Sequence, residues 1–247
     1  MFGDILLFKD NGLEFLFRWG HILVGITWIG LLYFFNFVQV PSFAEMDAGA
    51  RNNAMDKLSW RALWWFRWAA LMTFLTGLVL LYFIQKDVSE FFKSGRGVAI
   101  SIGMLLATIM FLNVWGVIWR QQKTVIANAR NVQAGGEADP AAAVAGRAAA
   151  MASRQNVVFS VPMLLLMVGA AHFFIAGTPA TGSRMAFLGI TTIVTIILEV
   201  NALGLLPWKT APGKGLNWMY DTHQNAIISG FVLAAVFVVL GEALLLH

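Results

Sequence analysis

Two histidines and one glutamate stand inside apolar stretches where a bilayer would tolerate no unpaired charge. His21 lies in RWGHILVGITWIG, residues 18–30, and His172 in MVGAAHFFIAG, residues 167–177. On a helix, Glu14, Arg18, His21, Gly25, Trp28 and Leu32 share one stripe, while the other faces are Ile, Leu, Val and Phe. An ionisable group at membrane depth normally faces the bundle interior and has a partner. The stripe therefore reads as facing an internal site with His21 as a ligand; the bland alternative is a hydrogen bond from His21 to a neighbouring helix. His21 lies about six residues, roughly 9–12 Å, below the outer end of its segment, and His172 lies at a similar depth. Two imidazoles at one level on different helices can hold a haem iron from opposite sides. Gly25 and Gly169 would leave room for the macrocycle, Trp28 would line it, and Arg18 would meet its propionates.

A second polar group lies towards the other side. Thr191, Thr192, Thr195 and Glu199 recur at helical spacing, followed by Asn201, and Asn113 ends another apolar segment. His223 opens the last segment, with Gly230, Ala234 and Gly241 permitting close helix packing on its face. Glu199 and His223 are the candidate catalytic pair, with Asn113 beside them, for proton movement, a second cofactor or a substrate. Against that, threonine in a membrane helix often bonds its own backbone, and His223 could sit among headgroups.

Composition says what must position these groups. The 247 residues are 59% hydrophobic and 12% charged, about half the charge of a soluble domain. The expected fold is all-α, a polytopic transmembrane bundle in one domain, 1–247. Six spans are expected, at roughly 13–40, 63–84, 98–119, 157–176, 185–206 and 225–246. Residues 1–12 are too short to span and are expected at the interface. MFGDILLFKDNGLEF has acids and no basic leader, so no cleavable signal is expected. Residues 121–154 form a cytoplasmic connector, a turn at AGGEADP and then an alanine-rich helix after Pro140.

Loop charge sets the orientation. Arg51, Lys57, Arg61, Arg120, Lys123, Arg130, Arg147, Arg154, Lys209 and Lys214 lie on one side; Lys9, Lys86, Lys93, Arg96 and Arg184 lie on the other. Ten against five puts the first set in the cytoplasm and both termini outside. These cations report orientation and not nucleic-acid binding. With no cysteine, disulfides, iron–sulfur clusters and covalent haem are excluded, so a haem would be a non-covalent haem b. Tryptophans 60, 64, 65 and 68 cluster around Arg61 and Arg67, which suits an interfacial belt or, as a second option, the lining of a flat cofactor.

Three runs, HILVGITWIGLLYFFNFVQVP, NVWGVIWRQQKTVI and SRQNVVFSVPMLLLMVGAAHFF, resemble the membrane domain of the bacterial membrane-bound urate oxidase (urate hydroxylase) family. The first run alone also resembles small membrane haem proteins of the protoporphyrinogen oxidase type. The urate oxidase resemblance implies purine oxidation with electrons passed to a c-type cytochrome. It points to His21, Trp28, Asn113, Trp115, Lys123, Asn156 and His172 as matching positions. Two departures stand out: no CxxCH motif occurs before the chain ends at His247, and Arg120 stands where the family leads one to expect proline. The acceptor is therefore expected to be a separate cytochrome or respiratory complex.

Three functions compete. The first is a haem-b oxidoreductase of a urate-like substrate in a bacterial inner membrane. The second is a non-catalytic haem-binding or accessory subunit of a larger electron-transfer complex. The third, a transporter, lacks the repeats and paired broken helices that such folds carry. The expected partners are the bilayer and the cytochrome, and self-association is left open.

Overall fold

A computed structural model describes residues 9–84, 88–175 and 177–246. Lys86, Ala176, His247 and residues 1–8 of the expected interfacial segment lie outside the described residues. Among the described residues there is no strand, and six helical rods are long and apolar enough to cross a membrane.

The first rod joins α1 (Asp10–Tyr33) to α2 (Val40–Glu45) through a π-helical stretch, Phe34–Gln39. The second joins α3 (Ala48–Ala54) to α4 (Trp60–Phe83) through another, Met55–Ser59. After short α5 (Val88–Lys93), the third joins α6 (Gly95–Asn113) to α7 (Trp119–Gln133) through Val114–Ile118. The last three are α8 (Ala141–His172), α9 (Thr181–Ala202) and α10 (His223–Leu245), with a 3₁₀ turn at Gly215–Tyr220 before α10.

The first four rods overrun the segments read from hydropathy, at 34, 36, 39 and 32 residues. About 20 residues suffice to cross the hydrocarbon core. Hydropathy stops at the first charges, Arg61, Arg120 and Arg154, but backbone hydrogen bonding does not. The alanine-rich run after Pro140 is thus no separate helix; it is the start of α8, which continues unbroken through Pro162. The excess gathers at one end, here called the projecting end, where Arg130 of α7 pairs with Asp56 beside α3. At the far end α8 stops at His172, where the Phe173 and Phe174 amides both turn back to the Gly169 carbonyl at 2.8 Å.

Helix α8 is the axis of the bundle. Its apolar window is 61% buried, against 22–50% for the other five rods. Small residues let its neighbours close in. A Cβ on Gly230 of α10 would lie 3.2 Å from the Val158 carbonyl of α8, and one on Gly103 of α6 would touch Leu166 at 3.5 Å. The outward faces keep Leu75, Leu78, Ile193, Ile196, Phe231 and Val239 exposed, as lipid contact requires. Ser94 and Thr222 cap α6 and α10 through the Gly97 and Asn225 amides. Helix α9 ends at a left-handed Gly204, φ +70°, which turns the chain towards the 3₁₀ segment.

Candidate functional site

Asn113 closes α6, Gln155 and Asn156 lie midway along α8, and Glu199 stands one turn before the end of α9. Helix packing around α8 brings the four together. Asn113 Nδ2 donates to Asn156 Oδ1 at 3.0 Å and to Glu199 Oε2 at 3.2 Å. Asn156 Nδ2 donates in turn to the Met110 carbonyl of α6 at 3.0 Å. Three side chains thus tie three membrane helices, and both asparagines are buried. The threonine stripe of α9 does not join them: Thr191 donates to the Phe187 carbonyl at 2.6 Å and Thr195 to that of Thr191 at 2.8 Å. Those hydroxyls serve their own helix.

A second layer comes from the connector after α9. The Tyr220 hydroxyl donates to Gln155 Oε1 at 2.6 Å, and burial pushes its phenol up from the ordinary tyrosine range. Trp208 Nε1 donates to Asn201 Oδ1 at 2.6 Å. Each amide oxygen therefore has its donor, which fixes which end of each amide is NH₂. Gln155 Nε2 and Asn201 Nδ2 are left buried, without a partner among the described residues. The Gln155 amide approaches the Glu199 carboxyl and the Asn201 amide the Tyr220 hydroxyl. Two arginines of α8 hold this layer in place. Arg154 donates to the Tyr220 and Asp221 carbonyls, and Arg147 pairs with Asp221 at 3.0 Å while donating to the Thr210 carbonyl at 3.1 Å. Across the two layers, the Gln155 and Asn201 NH₂ groups are the donors left over, one beside the Glu199 carboxyl and one beside the Tyr220 hydroxyl.

The stripe on α1 packs differently. His21 Nδ1 lies 3.0 Å from Thr76 Oγ1 on α4, and that hydroxyl donates its own proton to the Met72 carbonyl at 2.7 Å. With that hydroxyl spent on the carbonyl, the imidazole is assigned its proton on Nδ1, which makes Nε2 the acceptor nitrogen. Gly77 gives the ring its room, since a Cβ there would lie 3.3 Å from His21 Cε1. A Cβ on Gly25 would face Thr73 of α4 at 3.9 Å. Trp28 is 1% exposed, and its Nε1 is buried without a partner among the described residues. Arg18 pairs with Glu14 on its own helix.

His172 is exposed at the end of α8, and the space beside Gly169 holds the Phe174 ring, 3.1 Å from where a Cβ would be. His223 opens α10 with its ring centroid 6.4 Å from that of Phe37, and no described hydrogen bond joins it to Glu199. Tested against a haem, the residues fit in part. His21 offers a free Nε2 held by a second hydrogen bond, as axial ligands do, and His172 is unencumbered. Gly25 and Gly169, however, face Thr73 and Phe174. Among the described residues no three of His, Cys, Asp and Glu group as metal ligands.

Sequence reasoning singled out Asn113, Asn156, Glu199 and Asn201. It missed Gln155, although the QN pair in SRQNVVF is conspicuous at membrane depth, and it missed Tyr220, whose partner lies 65 residues away. The family described as Urate oxidase N-terminal matches residues 88–203. The match takes in the second and third runs on which the resemblance rested, and with them Asn113, Gln155, Asn156, His172, Glu199 and Asn201. His21, Tyr220 and His223 lie beyond it. No curated protein and no solved structure matches the chain.

Proposed function

We propose that this chain, a urate-oxidase-related membrane protein by its match over residues 88–203 and its six spanning-length helices, oxidises a small urate-like heterocycle at the Asn113–Asn156–Glu199 cluster. The observation that carries the reading is that this buried cluster falls wholly within the matched residues. An oxopurine edge alternates carbonyl acceptors with N–H donors. The buried NH₂ of Gln155 suits such a carbonyl, and the Glu199 carboxylate suits the neighbouring N–H. Oxidation removes two electrons and two protons from the ring. Glu199 takes the first proton at its carboxylate, which Asn113 holds in place, and the second proton passes to water.

The electrons pass to a c-type cytochrome. A haem b, with His21 Nε2 and His172 as its ligands, would supply one-electron storage between the ring and that acceptor. The loop charges favour the projecting end in the cytoplasm of a bacterial inner membrane.

The test is loss of urate absorbance by the purified protein with an artificial electron acceptor, for wild type, Glu199→Gln and Asn113→Ala. Turnover that falls about 10²-fold or more in Glu199→Gln supports the site, since general-base catalysis is worth that much. Turnover unaffected by both variants moves the chemistry elsewhere. An inert wild type that co-purifies with a larger complex makes the chain an accessory subunit. Oxidised and reduced spectra of wild type, His21→Ala and His172→Ala test the haem separately.

A further inference from the structure

Arg67 of α4 sits in a box of tryptophans that the cluster above does not use. Its guanidinium carbon lies 3.9 Å from the Trp119 ring centroid, 5.6 Å from that of Trp115 and 5.8 Å from that of Trp68. Trp60 extends the box against Trp119, and Trp64 against Trp68. Helix α4 and the α6–α7 rod run antiparallel, so Trp119 lies one turn nearer the projecting end than Trp115. Arg67 therefore reaches from membrane depth towards water, as long cationic side chains do. Its own position is fixed, because Trp115 Nε1 donates to the Arg67 carbonyl at 3.2 Å. That tryptophan belongs to the π-helical stretch Val114–Ile118, and such bulges recur at functional sites.

Among the described residues the guanidinium has no anion and joins none of the ion pairs, which link Arg18 to Glu14, Lys57 and Arg130 to Asp56, Lys93 to Glu90, and Arg147 to Asp221. Its Nε is buried without a hydrogen-bond partner, as is Trp68 Nε1. Lys123, a second cation, lies 5.8 Å from the Trp119 centroid, while Arg130, 5.0 Å from that of Trp60, is already paired with Asp56. Trp64 and Trp65, 46% and 60% exposed, open its flank to lipid. A cation at membrane depth, ringed by indoles and lacking a carboxylate, lacks the negative half of its site.

We propose that the groove between α4 and α7 binds the phosphate headgroup of an acidic phospholipid. Arg67 and Lys123 hold the phosphate, and the exposed tryptophans flank the headgroup and upper acyl chains. The ligand comes from the bilayer because the open side of the box faces lipid and Arg67 lies seven residues deeper than Trp60. Free phosphate would have to leave water to reach it.

Six of the ten tryptophans lie in the box, so brominated lipids give a direct reading. Fluorescence of the detergent-solubilised protein is titrated with brominated phosphatidylglycerol and brominated phosphatidylcholine. Wild type is expected to be quenched at about fivefold lower phosphatidylglycerol than phosphatidylcholine, the advantage of one basic contact to an anionic headgroup. Arg67→Gln is expected to abolish the preference and Arg67→Lys to keep part of it, with helicity by circular dichroism unchanged in both. Lys209→Ala, on the connector after α9, should behave as wild type. Equal quenching by the two lipids in wild type, or a preference that survives Arg67→Gln in folded protein, overturns the proposal. So does inorganic phosphate that abolishes the preference, which would make this a site for a small soluble anion.

Discussion

The two polar regions inside this bundle are built on opposite plans. Near the projecting end, Asn113, Gln155, Asn156, Glu199, Asn201, Trp208 and Tyr220 form two linked layers across α6, α8, α9 and the connector after α9. Towards the far end, His21 meets Thr76 through a hydrogen bond between α1 and α4, and Gly25 on the same stripe faces Thr73. In hydrocarbon an unsatisfied polar group has no water to turn to. A network shares that risk among many groups and makes each one costly to remove. A lone pair concentrates it in one bond, which leaves the histidine ring's other nitrogen uncommitted. The first plan suits a site whose geometry must hold; the second suits a ligand waiting for a partner.

The sharpest break in this comparison is Asn113→Ala. It strands Asn156 Oδ1 and Glu199 Oε2 together. Leaving a buried acceptor unpaired costs roughly 1–3 kcal/mol, against ~0.6 kcal/mol on average for a single interhelical hydrogen bond in a membrane. Thermal unfolding in detergent should therefore show Asn113→Ala as the most destabilised single variant of those named here. A loss no larger than one average bond would mean that the cluster is a set of separate pairs.

How much of this was legible in the sequence follows the same divide. Six spans follow from apolar length alone; Asn113 and Glu199 stood out because amides and carboxylates at membrane depth need a reason, and Asn156 only through the family resemblance. Gln155 and Tyr220 did not, since their contact joins mid-helix to a connector whose path no periodicity encodes. Tyr220 also counts among the hydrophobic residues in composition while acting through its hydroxyl. On the other side, His21 was legible as a group needing a partner, and the bland reading of it is the bond observed. That the partner is Thr76 was not legible, because α4 carries Thr73 and Thr76 in one apolar helix and only packing selects between them.

A smaller effect, visible in pH, separates the layers of the network. Burial raises the Tyr220 phenol in the folded protein above its unfolded value of about 10. A group whose folded pKa is raised holds its proton more tightly when folded. Its contribution is complete below the unfolded pKa and is lost as pH rises through the folded one. Unfolding midpoints of wild type should fall between pH about 9 and about 11 more steeply than those of Tyr220→Phe. Parallel profiles would mean that the phenol opens to water before the helices separate.

The smallest effects belong to the His21 pair, and they decide whether it is as isolated as it looks. Thr76→Val removes the acceptor of the imidazole Nδ1–H and should cost the ~0.6 kcal/mol of one interhelical bond. Gly77→Ala places a methyl 3.3 Å from His21 Cε1, a gap the ring can widen by a small turn, so a change within about 0.5 kcal/mol is expected. A double-mutant cycle of Thr76→Val with His21→Ala should then return a coupling no larger than the single bond. If Thr76→Val instead costs as much as Asn113→Ala, the histidine is one member of a wider network through the buried indole of Trp28. The free Nε2 would then be a structural tether, and the assignment of His21 as a cofactor ligand would fall with the contrast that supports it.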